Sequence, residues 1–152
     1  MKQEAQQALD TLSNTSVKTL ANGGGQEWAA LGNRLGFPTV FPAKPDLPPA
    51  PKEPAFGQPP REDDPKYNVE LSTLDKLLSS RRIKKQDAAL RRFEKDRKAW
   101  NEDRDYALGI YEKTKAQHDE TVAQLETTYE AALGQWKDDF ETYLKMNFDH
   151  QI

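Results

Sequence analysis

Residues 90–143, LRRFEKDRKAWNEDRDYALGIYEKTKAQHDETVAQLETTYEAALGQWKDDFETY, decide the fold. One stripe can be followed through them in steps of three and four: Leu90, Phe93, Arg97, Trp100, Arg104, Ala107, Tyr111, Thr114, His118, Val122, Leu125, Tyr129, Ala132, Trp136, Phe140 and Tyr143. A mean step of about 3.5–3.6 is the period of an α-helix and not the alternation of a strand. Off the stripe, Asp87–Arg91, Glu94–Lys98 and Lys137–Glu141 are opposite charges at i,i+4, as on a solvated helix face. The reading is an amphipathic helix from about Arg81 to near Asn147, on the order of 100 Å long at 1.5 Å per residue. Its stripe drifts from a strict heptad near Val122, so any supercoil is expected to be shallow.

Working outward, all ten prolines fall between Pro38 and Pro65, and after them come 87 residues with only Gly109 and Gly134 as glycines. Five zones follow. Residues 1–37 read as two short helices separated by the break Asn22-Gly23-Gly24-Gly25. Residues 38–66 are an extended linker or strap, because proline lacks an N–H and pushes its preceding neighbour out of the helical region. Residues 67–80 hold a short helix capped by Ser72 or Thr73, residues 81–147 the long helix, and 148–152 a tail. The fold class is therefore all-α and elongated. Composition agrees: 36% hydrophobic and 31% charged residues, against roughly 45–50% and 25% in ordinary globular chains, leave material for only a thin core.

A lone helix carrying this aromatic stripe would expose a large apolar surface, which soluble monomers rarely tolerate. The expected interface residues are Leu90, Phe93, Trp100, Tyr111, Val122, Leu125, Tyr129, Trp136, Phe140 and Tyr143. Either a second copy of the helix covers them, as a coiled coil, or the chain's own N-terminal helices and proline strap do. Arg97, Arg104, Thr114 and His118 interrupt the seam and favour local patches of packing over a uniform coiled coil. In the strap, Phe37, Phe41 and Phe56 are expected to pin it to a helix. Two PxxP matches, Pro42–Pro45 and Pro45–Pro48, also fit a ligand for a proline-recognition module, but so proline-dense a stretch makes such matches nearly unavoidable.

Charge is uneven along the helix. Between Arg81 and Lys98 there are nine basic residues against three acidic ones, whereas the stretch from Glu112 to Glu141 is net acidic. Arg81, Arg82, Lys84, Lys85, Arg91 and Arg92 are the candidate nucleic-acid contacts, since such blocks bind phosphate backbones without regard to sequence. The alternative is a solvated helix face. The net charge of −3 over the whole chain names no partner.

No catalytic constellation is visible. His118 and His150 are the only histidines, and neither has a second ligand at metal spacing. The triglycine lacks the lysine and hydroxyl of a phosphate-binding loop. Pro45-Asp46 with Asp64-Pro65-Lys66 matches the PD…(D/E)xK pattern of metal-dependent nucleases, but that chemistry needs adjacent strands, which a proline strap cannot form. No metal, cofactor or small-molecule substrate is expected. The absence of cysteine excludes disulfides. The N-terminus lacks the apolar run of a signal peptide, and no stretch of about 18 apolar residues would span a membrane. A cytoplasmic protein is the expectation, and Asn14-Thr15-Ser16 is read as a chance glycosylation match.

The segment LSTLDKLLSSRRIKK (71–85) follows a run containing PPAPKEPAF and precedes FEKDRKAW, YEAALGQW and FETYL. In this order, over roughly residues 27–147, the chain resembles the region ahead of the catalytic domain in Mrr-like restriction endonucleases. The resemblance implies an antiphage DNA-defence setting, with a PD-(D/E)xK nuclease domain beyond Ile152 and no catalytic residue here. Under it, this region serves assembly or DNA positioning. The reading from another class is a structural or virion-type scaffold that uses the helix as a spacer and has no nucleic-acid role.

Overall fold

The computed structural model describes residues 1–148. Its elements are α1 (Lys2–Asn14), α2 (Val17–Thr19), a π-helical turn (Leu20–Gly24), α3 (Gly25–Arg34), a 3-10 turn (Pro65–Tyr67), α4 (Thr73–Leu77) and α5 (Ser79–Phe148). Among the described residues there is no strand, so the protein is all-α. No described helix is long and apolar enough to cross a membrane. The 70-residue α5 begins at Ser79 instead of about Arg81 and still includes Phe148, which packs against the core described below. Of the tail expected over 148–152, Phe148 belongs to α5, and 149–152, with His150, lie outside the described residues.

The chain divides into two compact units, residues 1–49 with those from His118 onward, and Ala50–Gln117; α5 supplies part of each. In the first unit, α1 presents Ala5, Ala8 and Leu12 on one face. These spacings of three and four are those of neighbours on a helix surface, and the two alanines keep the contact close. They join Leu35, Phe37, Trp136, Phe140 and Leu144 in a single buried cluster. Fully burying a leucine or phenylalanine contributes roughly 1.5–3 kcal/mol, so this cluster is what holds short helices that would be marginal alone.

The chain reaches that cluster through the end of α3. Gly36 adopts φ +78°, the Phe37 N–H donates to the Gly32 carbonyl, and the Gly36 N–H donates to that of Asn33. This is a Schellman ending, in which a left-handed glycine turns the chain and satisfies the last helical carbonyls. It aims Phe37 at Trp136, Phe140 and Tyr143, with ring centroids 5.7, 5.0 and 5.3 Å away. Phe41 follows, 4.8 Å from the Trp136 ring. Gly25 lets it approach: a Cβ there would stand 2.9 Å from Phe41 Cε1. The polar ends of the aromatics are satisfied, Trp136 Nε1 donating to the Thr39 carbonyl (3.2 Å) and the Tyr143 hydroxyl to that of Leu35 (2.9 Å).

The second unit is smaller in core. Tyr67 and Phe93 are buried against each other edge to face, 5.3 Å apart, and Phe56 lies 6.5 Å from Trp100. The Tyr67 hydroxyl donates to Asp96 Oδ2 (2.7 Å), and Trp100 Nε1 donates to the Gly57 carbonyl (3.2 Å). Residues 38–63 carry no helix or strand apart from a turn at Glu62–Asp63.

Candidate nucleic-acid interface

At 3.6 residues per turn, Arg81, Lys84, Lys85, Arg91, Arg92, Lys95 and Lys98 fall within an arc of about 140° of α5. The other residues of that arc, as far as Ala99, are Ala88 and Ala99 themselves, so no carboxylate interrupts it. All seven cations are exposed. The stripe runs for roughly 26 Å along the helix and points away from the side on which Tyr67 covers Phe93. Arg82, named with the block from its sequence, lies outside this arc, as does Arg97.

Most of these charges are free. Among the described residues, Arg81, Lys84, Arg91, Arg92 and Lys95 form no ion pair and no side-chain hydrogen bond, although Lys95 adds slightly to the lowering of the Asp96 carboxyl. Lys98 has only a loose, solvated contact with Glu102 at 3.8 Å. Lys85 differs: its Nζ lies 2.5 Å from Asp75 Oδ2 and 3.4 Å from the Glu70 carbonyl. Part of its charge is therefore already spent inside the unit.

Among the described residues, Asp75 is the one buried charged residue, 2% exposed. Its carboxylate accepts from Lys85 Nζ, from the Ser72 hydroxyl (2.8 Å) and from the Ser72 N–H (3.0 Å), while the Asp75 N–H donates to Ser72 Oγ (3.2 Å). The last two bonds form a capping box on α4. The ammonium of Lys85 above all, then the Ser72 donors, hold the Asp75 carboxyl far below the usual carboxylate range. Asp96 is also lowered, first by the Tyr67 hydroxyl and then by Lys66.

The expected interface residues separate by unit. In the first, Trp136 and Phe140 are buried, and Val122, Leu125, Tyr129 and Tyr143 are half-buried. In the second, Phe93 is buried, Trp100 and Tyr111 are half-buried, and Leu90 is 44% exposed. Leu133 and Leu144, which the stripe passes by, are fully buried, while Ala132 is exposed. His118 is held at both ring nitrogens: Nε2 donates to the Pro48 carbonyl (3.0 Å) and Nδ1 lies 3.2 Å from Asp119 Oδ1. Of the nuclease-like pattern, Asp64 accepts from the Arg61 N–H and Lys66 pairs with Asp96. Among the described residues, no group of three or more His, Asp or Glu is placed to hold a metal ion.

A cleft of about 660 Å³ in the first unit escaped the sequence reading. It lies between the Gly-rich turn, the face of α3 and residues 39–44, with Tyr129 and Trp136 in its wall. Comparison with protein-family models, curated proteins and solved structures returns no match to this chain.

Proposed function

We propose that this is a non-catalytic, cytoplasmic helical scaffold region that contacts the DNA backbone through the basic face of α5, in a restriction-endonuclease-like defence protein. The observation that carries the contact is the row of exposed cations from Arg81 to Lys98 that no carboxylate interrupts, five of them with no ion pair or side-chain hydrogen bond among the described residues. A cation with an internal partner gains little from a phosphate, whereas a free one releases condensed counterions when it binds. Contact between such a row and the phosphates positions the protein without selecting sequence. The aromatic face of α5 has the complementary task. In each unit, part of the proline-rich segment acts as a strap against it, leaving the basic face open. The nuclease setting rests on the resemblance over residues 27–147.

Fluorescence anisotropy with a DNA duplex over a salt series tests the contact. Five free cations predict a slope of log affinity against log salt of roughly −4 to −5. Replacing Arg91, Arg92 and Lys95 together by Gln reduces its magnitude by roughly 2–3. Unchanged binding in that variant overturns the DNA contact and leaves the helix a spacer. The nuclease setting is tested separately, by whether a PD-(D/E)xK domain is encoded in frame beyond Ile152.

A further inference from the structure

α4 is attached to the second unit in an unusual way. Its only buried side chain is Asp75, while Leu74 and Leu77 are 59% and 81% exposed. A five-residue helix has little intrinsic stability, and burying an ion pair is a poor source of more, because desolvation offsets much of the attraction. What the Asp75–Lys85 pair does supply is geometry. It fixes Ser72 beside the first turns of α5, and the two elements enclose a cleft of about 410 Å³ lined by Ser72, Asp75, Arg81, Lys84 and Lys85.

The donors of that cleft are in excess. Lys85 uses one N–H on Asp75 and one on the Glu70 carbonyl, which leaves its third. Among the described residues, Arg81 and Lys84 find no acceptor for their side-chain donors. The single carboxylate present is already neutralised by Lys85 and by the two Ser72 donors. Two unpartnered cations, one of them a planar guanidinium suited to bidentate oxyanion contact, therefore face a cleft whose only negative charge is spoken for.

From this we infer that the α4–α5 cleft is a seat for one phosphate group, a mono- or diester, held by Arg81 and Lys84 with the remaining Lys85 donor. Ser72 and Asp75 are positioning residues that keep Lys85 and the cleft wall in place. The inference rests on the DNA-backbone reading of α5 and gives that contact a fixed register: one phosphate is clamped here, and the cations from Arg91 onward follow the strand electrostatically.

The test compares two double variants that remove the same charges from the same face, Arg81→Gln with Lys84→Gln, and Arg91→Gln with Lys95→Gln. Binding is measured by anisotropy to one oligonucleotide carrying either a 5′-phosphate or a 5′-hydroxyl. The seat predicts that the first pair loses about tenfold more affinity than the second, as expected when charge-assisted hydrogen bonds and not diffuse charge are removed. A loss larger for the 5′-phosphorylated strand assigns a terminal monoester to the seat, and an equal loss for both strands assigns a backbone diester. Equal losses from the two pairs overturn the seat while the basic face stands. If neither pair changes binding, the basic face falls and the seat with it.

Discussion

Phe37 is the side chain on which the first unit depends most directly. It stands just after the Schellman turn of α3 and meets three rings of α5, those of Trp136, Phe140 and Tyr143, at 5.0–5.7 Å. Truncation to Ala removes its apolar burial and leaves a cavity between α3 and α5, which together cost about 3–5 kcal/mol for a buried phenylalanine. Aromatic pairs add roughly 0.5–1.5 kcal/mol each beyond area, so the upper part of that range is expected. Phe37→Leu keeps most of the volume and is expected to cost less than about 1.5 kcal/mol. Val40, three residues on and 84% exposed, supplies the control, with Val40→Ala within about 0.5 kcal/mol of the parent. Urea denaturation followed by far-UV ellipticity and by tryptophan fluorescence measures all three, and Trp28 and Trp136 both report on this cluster. If Phe37→Ala costs no more than Val40→Ala, the cluster does not hold the N-terminal helices to α5.

Three further outcomes are expected. Leu133→Ala, at a fully buried site, costs about 2–5 kcal/mol, whereas Leu90→Ala, at a site 44% exposed, costs under about 1 kcal/mol; the reverse order in urea melts would mean that Leu90 is covered in solution. Tyr67→Phe removes the donor that most lowers the Asp96 carboxyl, so the Asp96 titration midpoint read by carbon NMR moves up toward the ordinary carboxylate value, and a midpoint that does not move contradicts the hydrogen bond. For Asp75 the folded-state pKa is depressed, so its contribution to stability is present above the ordinary unfolded value of about 3.9 and is lost only as pH falls through the lower folded value. The NMR signals of α4 should accordingly stay native from pH 7 down to about 4, and loss of α4 near pH 5 would be inconsistent with the Lys85 pair.

The helical period was legible because it is repeated many times over: every turn of α5 votes, and a misread residue changes little. The N-terminal helices were legible only in part. The sequence places the break at Asn22–Gly25, whereas α1 ends at Asn14 and the backbone is extended at Thr15 and Ser16. Within Leu20–Gly24 only Gly23 (φ +146°) leaves helical angles before α3 begins at Gly25. Register was harder to read. Following Tyr129, Ala132 and Trp136 keeps the stripe near a heptad, but a helix of 3.6 residues per turn carries the covered face onward to Leu133, Phe140 and Leu144. The spacing Leu133-Trp136-Phe140-Leu144 was present in the chain. What selected it over Ala132 and Tyr143 is the position of α1 and Phe37, which no local pattern contains.

The basic block shows the opposite limit. Sequence counts cations, and it grouped Arg81, Arg82, Lys84, Lys85, Arg91 and Arg92 as equals. Helical geometry separates Arg82 from the row, and tertiary contacts separate Lys85, because its partner Asp75 lies ten residues away on another element. Charge available to an outside partner is thus a property of what the fold leaves unpaired. On α5, Phe93, Trp136 and Phe140 are buried and Trp100, Tyr111, Tyr129 and Tyr143 half-buried, Tyr106 is 74% exposed, and Arg81, Lys84, Arg91, Arg92 and Lys95 form no ion pair among the described residues. Under the proposed DNA contact, it is this unpaired charge, and not the number of cations in the sequence, that a phosphate backbone would meet.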